Sequence, residues 1–260
     1  MTNVLVAPGE PQFSIARSLS TTFGVLGRNF VPMMTIAVIV TAVQSAIEYV
    51  LGGEGSSSGG GSFLNVLSYG FITAPLTYAT FQDLRGTRVG ASEMMSGGFK
   101  KIGRVMGAAF VVGIVAVVAV LLAVFMYFAS EFTGIFVGIA AALFVLYIFV
   151  VWFALVPVLV VEDVRFFGAF GRAAALSSGR RWGLLGLLLV YGVIIVGISV
   201  AILGVVAVVA AAAPLVAIVV MIPFLALYSA LGAIMPAVVY YLLRAEKEGV
   251  GIDEIAKVFD

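Results

Sequence analysis

Neither cysteine nor histidine occurs anywhere in the 260 residues. Without Cys there is no disulfide framework, no thiolate nucleophile and no soft-metal site. Without His the chain lacks the usual metal ligand and the side chain that titrates near neutral pH, so Ser-His and Cys-His devices are excluded. Charge is scarce too: 10% of residues are charged and 63% hydrophobic, whereas a soluble domain carries about 25% charged residues. Most of the exposed surface must therefore face lipid. No motif asks for a cofactor or a metal. The basic residues lie in small scattered groups, which is no signature of nucleic-acid binding. The opening MTNVLVAPGEPQF lacks a basic flank and a long apolar core, so no cleaved signal peptide is expected, and the first span is expected to direct insertion.

All fourteen Lys and Arg residues fall in four places: Arg17 and Arg28; Arg85 to Arg104; Arg165 to Arg181; and Arg244, Lys247 and Lys257. Between them run apolar stretches at roughly 29–51, 63–83, 105–130, 134–161, 183–212 and 214–243. About 20 apolar residues suffice to cross the hydrocarbon core as a helix, and basic loops are retained in the cytoplasm. The expectation is an all-α integral membrane protein of a bacterial inner membrane. It has six transmembrane helices, with both termini cytoplasmic. On this topology the outer side carries only Glu48, Glu54 and Glu131. The cytoplasmic side then has a net charge of about +4, which favours contact with the anionic inner leaflet.

The outer turns are short: the Gly/Ser tract Gly52 to Ser62, a turn at Ser130 to Thr133, and a break at Pro214. The cytoplasmic connections are longer and helical in pattern. Ile15, Leu19, Phe23 and Leu26 oppose Ser14, Arg17, Ser18 and Thr21; Met95, Phe99 and Ile102 share a second apolar face; Phe166, Phe170 and Ala173 or Ala174 form a third. Such amphipathic helices lie in the plane of the membrane interface. Arg28, Arg104 and Arg181 precede the odd-numbered spans at intervals of 76 and 77 residues, and Pro75, Pro157 and Pro236 fall in the even-numbered spans at intervals of 82 and 79. The spacing predicts one membrane domain over 1–260, made of three parallel repeats of an amphipathic interfacial helix followed by a helical hairpin. Their approximate limits are 13–85, 89–165 and 166–244, with a tail at 245–260. Parallel repeats relate through an axis along the membrane normal. Kinks at the prolines shape packing.

The most distinctive stretch is WFALVPVLVVEDVRFFGAFGRAAALSSGRRWGLLGLLLV, Trp152 to Val190. It resembles the segment shared by the membrane domain of bacterial glycerophosphoryl diester phosphodiesterases and its free-standing relatives, inner-membrane proteins with no assigned activity. The matching residues are Pro157, Glu162, Arg172, Leu176, Ser177, Gly179, Arg181 and Trp182. The C-terminal YYLLRAEKEGVGIDEIAKVFD resembles the endings of free-standing alphaproteobacterial members. In the two-domain proteins the reaction belongs to a separate soluble barrel with catalytic His. This chain has no His, so the resemblance implies a membrane setting and no phosphodiesterase activity.

Two groups of residues are candidate sites. Arg172, Arg180, Arg181 and Trp182 in the third connection are the candidate lipid-headgroup contact. Gln44, Glu48, Asn65, Tyr69 and Thr73 form polar stripes on the first hairpin, either a hydrophilic cleft open to the outer side or interhelical hydrogen bonds. Gly134, Gly138 and Ala142, and Gly183 with Gly186, permit close helix approach. Trp182, Tyr240 and Tyr241 suit an aromatic belt. Tyr147 and Trp152 suit ligand stacking or packing. The tail residues Ile252, Ile255 and Phe259 suit a helix folded under the bundle. The resulting expectation is a non-enzymatic, lipid-contacting or scaffold protein. Its partners are anionic membrane lipids, with a homo-oligomer or a partner membrane protein as further possibilities. The alternative is a small-molecule or ion transporter or channel using the polar first hairpin. An intramembrane enzyme ranks third, since the embedded acids and bases it needs are nearly missing.

The topology is testable by single Cys substitutions in a chain that has none. Ser57→Cys and Ser130→Cys should react with impermeant thiol reagents from outside intact cells, while Ser96→Cys and Ser178→Cys should not. External labelling at Ser96 would overturn the six-span arrangement.

Overall fold

The computed structural model describes residues 13–52 and 60–249, which form ten helices. Most of the Gly/Ser tract, including Glu54 and Ser57, and the tail from residue 250 onward lie outside the described residues. The helices are α1 (Ile15–Arg28), α2 (Phe30–Gly52), α3 (Gly60–Leu84), α4 (Ala91–Phe99), α5 (Ile102–Ala129), α6 (Glu131–Val151), α7 (Leu155–Val161), α8 (Phe166–Ser177), α9 (Arg181–Ala212) and α10 (Pro214–Glu248). Their boundaries follow local chemistry. Ser14 caps α1 by accepting from the Arg17 amide at 3.2 Å. Ser130 alone separates α5 from α6, ending one helix and capping the next. Pro214 opens α10, where its fixed φ suits the first helical position.

Five segments are long and apolar enough to cross a membrane: Phe30–Val50, Ile102–Ala129, Glu131–Val161, Arg181–Ala212 and Val219–Glu248. This is the make-up of a multi-pass membrane protein. The expected fourth span is broken. α6 stops at Val151 and α7 resumes at Leu155, because Pro157 has no amide to donate and its ring collides with the carbonyl of Phe153. α10 runs past the expected end of the sixth span to Glu248. The expected second span, α3, is a 25-residue helix but falls outside the apolar set. It carries Thr73, Thr77, Thr80, Gln82 and Asp83, all buried by neighbouring helices.

α3 is enclosed because the returning helices gather at the centre: α3, α7 and α10 touch one another. The other long helices pack around them. α2 lies against α3 and α10, α5 against α6, α7 and α3, and α9 against α10 and α6. The core sits at the end where the basic residues collect, with Met33, Leu76, Met94, Val105, Leu159, Leu176, Leu184 and Ile234 fully or almost fully buried. Toward the opposite end, α5, α6 and α9 expose apolar side chains over most of their surface, from Ile114 to Phe128, Phe132 to Leu146 and Val193 to Val208, with one face of each half-buried. Only a lipid environment tolerates so much continuous apolar surface.

The three short helices dock on the returning ones: α1 on α10, α4 on α3 and α8 on α7. Glycine makes the α4 contact close, and one where α9 meets the start of the chain's first helix. A Cβ on Gly98 of α4 would lie 2.5 Å from the backbone nitrogen of Pro75, and one on Gly183 of α9 would lie 2.9 Å from the Phe13 ring beside α1. α8 instead inserts a hydroxyl: Ser177 Oγ donates to the Val151 carbonyl at 2.9 Å, a group freed by the break before Pro157. The buried faces are not always the expected ones. In α1, Ser18 and Thr22 face the core while Phe23 is exposed, and each of these hydroxyls is satisfied by its own helix, Thr22 Oγ1 donating to the Ser18 carbonyl at 2.7 Å. In α4 the buried residues are Met94 and Gly98, Phe99 points outward, and Ile102 belongs to α5.

Gly134 is occupied within the hairpin, its hydrogen facing the Tyr127 backbone where a Cβ would come within 2.3 Å, whereas Gly138 faces open space. The Gly98 contact makes a direct prediction. Gly98→Ala should cost about 2 kcal/mol by overpacking, lowering the thermal midpoint in detergent, while Gly103→Ala, with nothing within 4 Å of its Cβ position, should not. Equal midpoints for the two variants would show that α4 is not seated on Pro75.

Candidate functional site

The charged chemistry of the described residues collects where the helices start and finish at the basic end. Asp83, near the end of α3, has a side chain only 3% exposed. It accepts from Arg28 Nη2 at 2.6 Å, Arg28 Nε at 3.2 Å and Asn29 Nδ2 at 2.6 Å. Asn29 occupies the break between α1 and α2, so one carboxylate ties the first hairpin's two feet together. The hydrogen bonds from Arg28 to Asp83 hold the guanidinium above its ordinary pKa. At the start of α5, Arg104 donates to the Val164 carbonyl and lies 4.0 Å from Asp163 after α7. Asp163 is 94% exposed there, so that ion pair contributes little. Before α9, Arg180 Nε donates to Glu246 of α10 at 2.6 Å, and Glu246 also accepts from the Phe13 amide at 2.9 Å.

A denser network joins α7, α8 and α10. Glu162, buried at the end of α7, accepts from Arg172 Nε at 2.9 Å and from the buried Tyr240 hydroxyl at 2.7 Å. Arg172 Nη2 reaches Glu248 at 2.5 Å, and Arg244 Nε reaches the same carboxylate at 2.9 Å. Arg244 Nη1 donates to Tyr240 at 2.7 Å and lies 3.7 Å from Glu162. Although burial acts to lower the pKa of Arg172, the hydrogen bonds to Glu162 and Glu248 outweigh it and raise the value. Lys247 completes the clasp by donating to the Ala175 carbonyl at 2.6 Å and to Ser178 Oγ at 2.9 Å, capping the end of α8 with a positive charge. Two carboxylates balance two guanidiniums, and a phenol links them. The arrangement braces three helices and presents no activated nucleophile.

The expected headgroup residues divide between two roles. Arg172 and Arg180 are spent on carboxylates. Gly179, at φ +77°, makes a left-handed turn that Cβ-bearing residues rarely adopt, and the chain then enters α9 with Arg181 and Trp182 in its first turn. Arg181 Nη1 donates to Tyr147 at 2.9 Å with its guanidinium 5.4 Å from that ring's centre. Its Nε–H is buried without an acceptor among the described residues. Trp182 is 86% exposed. Trp152 is a packing residue, edge-on to Phe170 at 5.1 Å. Tyr240 and Tyr241 are buried and so stand in the core instead of an aromatic belt.

In the first hairpin the structure brings Gln44, Glu48 and Asn65 together. Gln44 Nε2 donates to Glu48 and to Asn65, each at 2.9 Å. Tyr69 and Thr73 stand apart from this trio. Thr73 is buried and donates back to the Tyr69 carbonyl at 2.5 Å. Grooves of about 550 and 520 Å³ flank the α5–α6 hairpin, lined by apolar residues such as Val120, Val145 and Phe149 on one side and Ile114, Leu122 and Phe144 on the other.

Sequence reasoning singled out the arginines and missed what holds them: Asp83, Tyr240, Glu246 and Glu248. The available signal was an acidic residue closing each returning helix, at Asp83, Asp163 and Glu246, opposite a basic one opening each hairpin.

Removing one partner of the dense network should show its structural weight. Glu162→Gln should destabilise the protein by about 2 kcal/mol, the worth of hydrogen bonds to a charged group, and Tyr240→Phe by about 1 kcal/mol, both read as thermal midpoints in detergent. Unchanged midpoints would mean that the network is ornamental to folding. Compared with family models, with curated proteins and with solved structures, the chain matches none.

Proposed function

We propose that this is a non-enzymatic inner-membrane protein that holds anionic lipid on its basic face, a free-standing relative of the membrane domain that Trp152 to Val190 resembles. In this reading α3 is a sixth span, kept out of lipid by its neighbours, and both termini are cytoplasmic. The protein is built from three parallel repeats: α1–α3, α4–α7 and α8–α10. Two regularities support the repeats. α2 and α5 each pack on their own returning helix and on that of the preceding unit, α9 packs on α10 and on α6 before α7, and each short helix docks on the preceding unit's returning helix, α1 closing the ring on α10. Each hairpin also has a basic residue at its opening foot that approaches an acidic residue at its closing foot: Arg28 with Asp83, Arg104 with Asp163, Arg180 with Glu246.

The observation that carries lipid contact is the pair at the start of α9. Arg181 is held by Tyr147 and has no carboxylate within 4.0 Å among the described residues, and beside it Trp182 is almost fully exposed. A lipid phosphate supplies the counter-charge, and an interfacial indole supplies the apolar anchor. The transport reading has less support, because Gln44 spends its amide on Glu48 and Asn65 within the hairpin. A second copy or a partner membrane protein is the other candidate to cover the grooves beside α5 and α6.

The test is retention of lipid through purification. The wild-type protein should retain phosphatidylglycerol in preference to phosphatidylethanolamine. Arg181→Gln with Trp182→Ala should weaken that preference by about fivefold, from loss of one cation near an anionic surface. Wild-type protein that carries the two lipids in their bulk membrane ratio would sink the proposal.

A further inference from the structure

Most cations among the described residues are already held by a protein group. Arg28, Arg104, Arg172, Arg180 and Arg244 have carboxylates, Arg181 has Tyr147, and Lys247 has the end of α8. Arg17 and Arg85 have partners of their own. Arg88, Lys100, Lys101 and Arg165 differ: among the described residues none has a carboxylate within 4.0 Å, and the last three share one junction.

These three converge although they are far apart in the chain. Lys100 and Lys101 link α4 to α5, and Arg165 immediately precedes α8. Arg104 donates to the Val164 carbonyl, and the Phe166 ring lies 3.3 Å from the Cβ position of Gly107, so the starts of α5 and α8 touch. Two large apolar side chains flank the cations. Phe99 is 61% exposed and Phe167 77%. The outward direction of Phe99 is imposed by packing, because Met94 and Gly98 occupy the buried face of α4. The acidic groups nearby are Asp163, which faces Arg104, and Glu93, about two turns back along α4. With Arg104 included, four cations meet Asp163 at this junction, with Glu93 set back from it.

We infer that the junction of α4, α5 and α8 is a second contact for anionic lipid headgroups, with Lys100, Lys101 and Arg165 as phosphate donors and Phe99 and Phe167 as anchors in the bilayer interface. This rests on the lipid-contact reading above and adds a separate surface to it. Unpaired cations beside exposed aromatic rings match a surface that is anionic at its headgroups and apolar just beneath them. The paired arginines of the third connection have less to offer such a surface, since a headgroup must compete with a carboxylate already in place.

The experiment titrates phosphatidylglycerol, with phosphatidylcholine as the neutral control, onto the full chain in detergent and counts bound lipids by native mass spectrometry. Lys100→Gln, Lys101→Gln and Arg165→Gln combined should weaken phosphatidylglycerol binding about fivefold for each cation removed. Phosphatidylcholine binding and the thermal midpoint should stay as in the wild type. A charge-preserving variant, Lys100→Arg with Lys101→Arg and Arg165→Lys, should bind as the wild type does, which separates charge from any folding defect. If the triple Gln variant binds phosphatidylglycerol normally while Arg181→Gln with Trp182→Ala does not, this junction is no headgroup site and the broader reading survives. If the charge-preserving variant fails as badly as the Gln variant with its midpoint intact, the contact is not electrostatic and the inference is equally overturned.

Discussion

A guanidinium at the foot of a hydrophobic helix must find an acceptor, because the hydrocarbon layer that begins there offers none. That requirement organises the basic end of this protein. The clearest instance is Asp83, almost wholly enclosed, which receives three hydrogen bonds from two adjacent residues at the break between α1 and α2. Removing the half-exposed Arg28 leaves the enclosed carboxylate uncompensated, so the cost of loss exceeds the gain from formation. Glu162, Glu246 and Glu248 extend the same logic to α8, α9 and α10. Once these feet are joined, the helices above them have fixed starting points, and the apolar core fills in directly behind.

The helical class and the five long apolar segments were legible because composition and run length carry that information without any knowledge of neighbours. The charged feet were harder. Arg28 and Arg104 stand out in sequence as regularly placed cations, but the third foot is Arg180, while the better-spaced Arg181 turns to Tyr147. A one-residue shift at a glycine turn, Gly179, decides which side chain faces Glu246. Spacing alone does not resolve that. Tyr240 illustrates a second limit: its position near the end of the last helix suits an interfacial ring, yet its hydroxyl is drawn inward by Glu162.

The short helices show why amphipathic pattern misleads in this setting. In a soluble protein the apolar stripe faces the core, and reading it gives orientation at once. Beside a bilayer there are two apolar environments, protein and lipid. α1 turns Ser18 and Thr22 inward, where small residues allow close approach and the hydroxyls bond their own helix, and leaves Phe23 outside. α4 does likewise with Gly98 and Phe99. The pattern announces a helix. It does not say which apolar medium the stripe meets.

The confinement of the core to one end has a mechanical consequence. α9 has 32 residues and α10 has 35, giving rods of about 48 and 52 Å, well beyond the roughly 30 Å of a hydrocarbon layer. Excess length is accommodated by tilt. Here the tilt has a fixed fulcrum, since ion pairs and packed side chains clamp one end while the far lengths of α5, α6 and α9 meet few protein neighbours. With the feet held, any change of tilt displaces the hairpin tips far more than the clamped end.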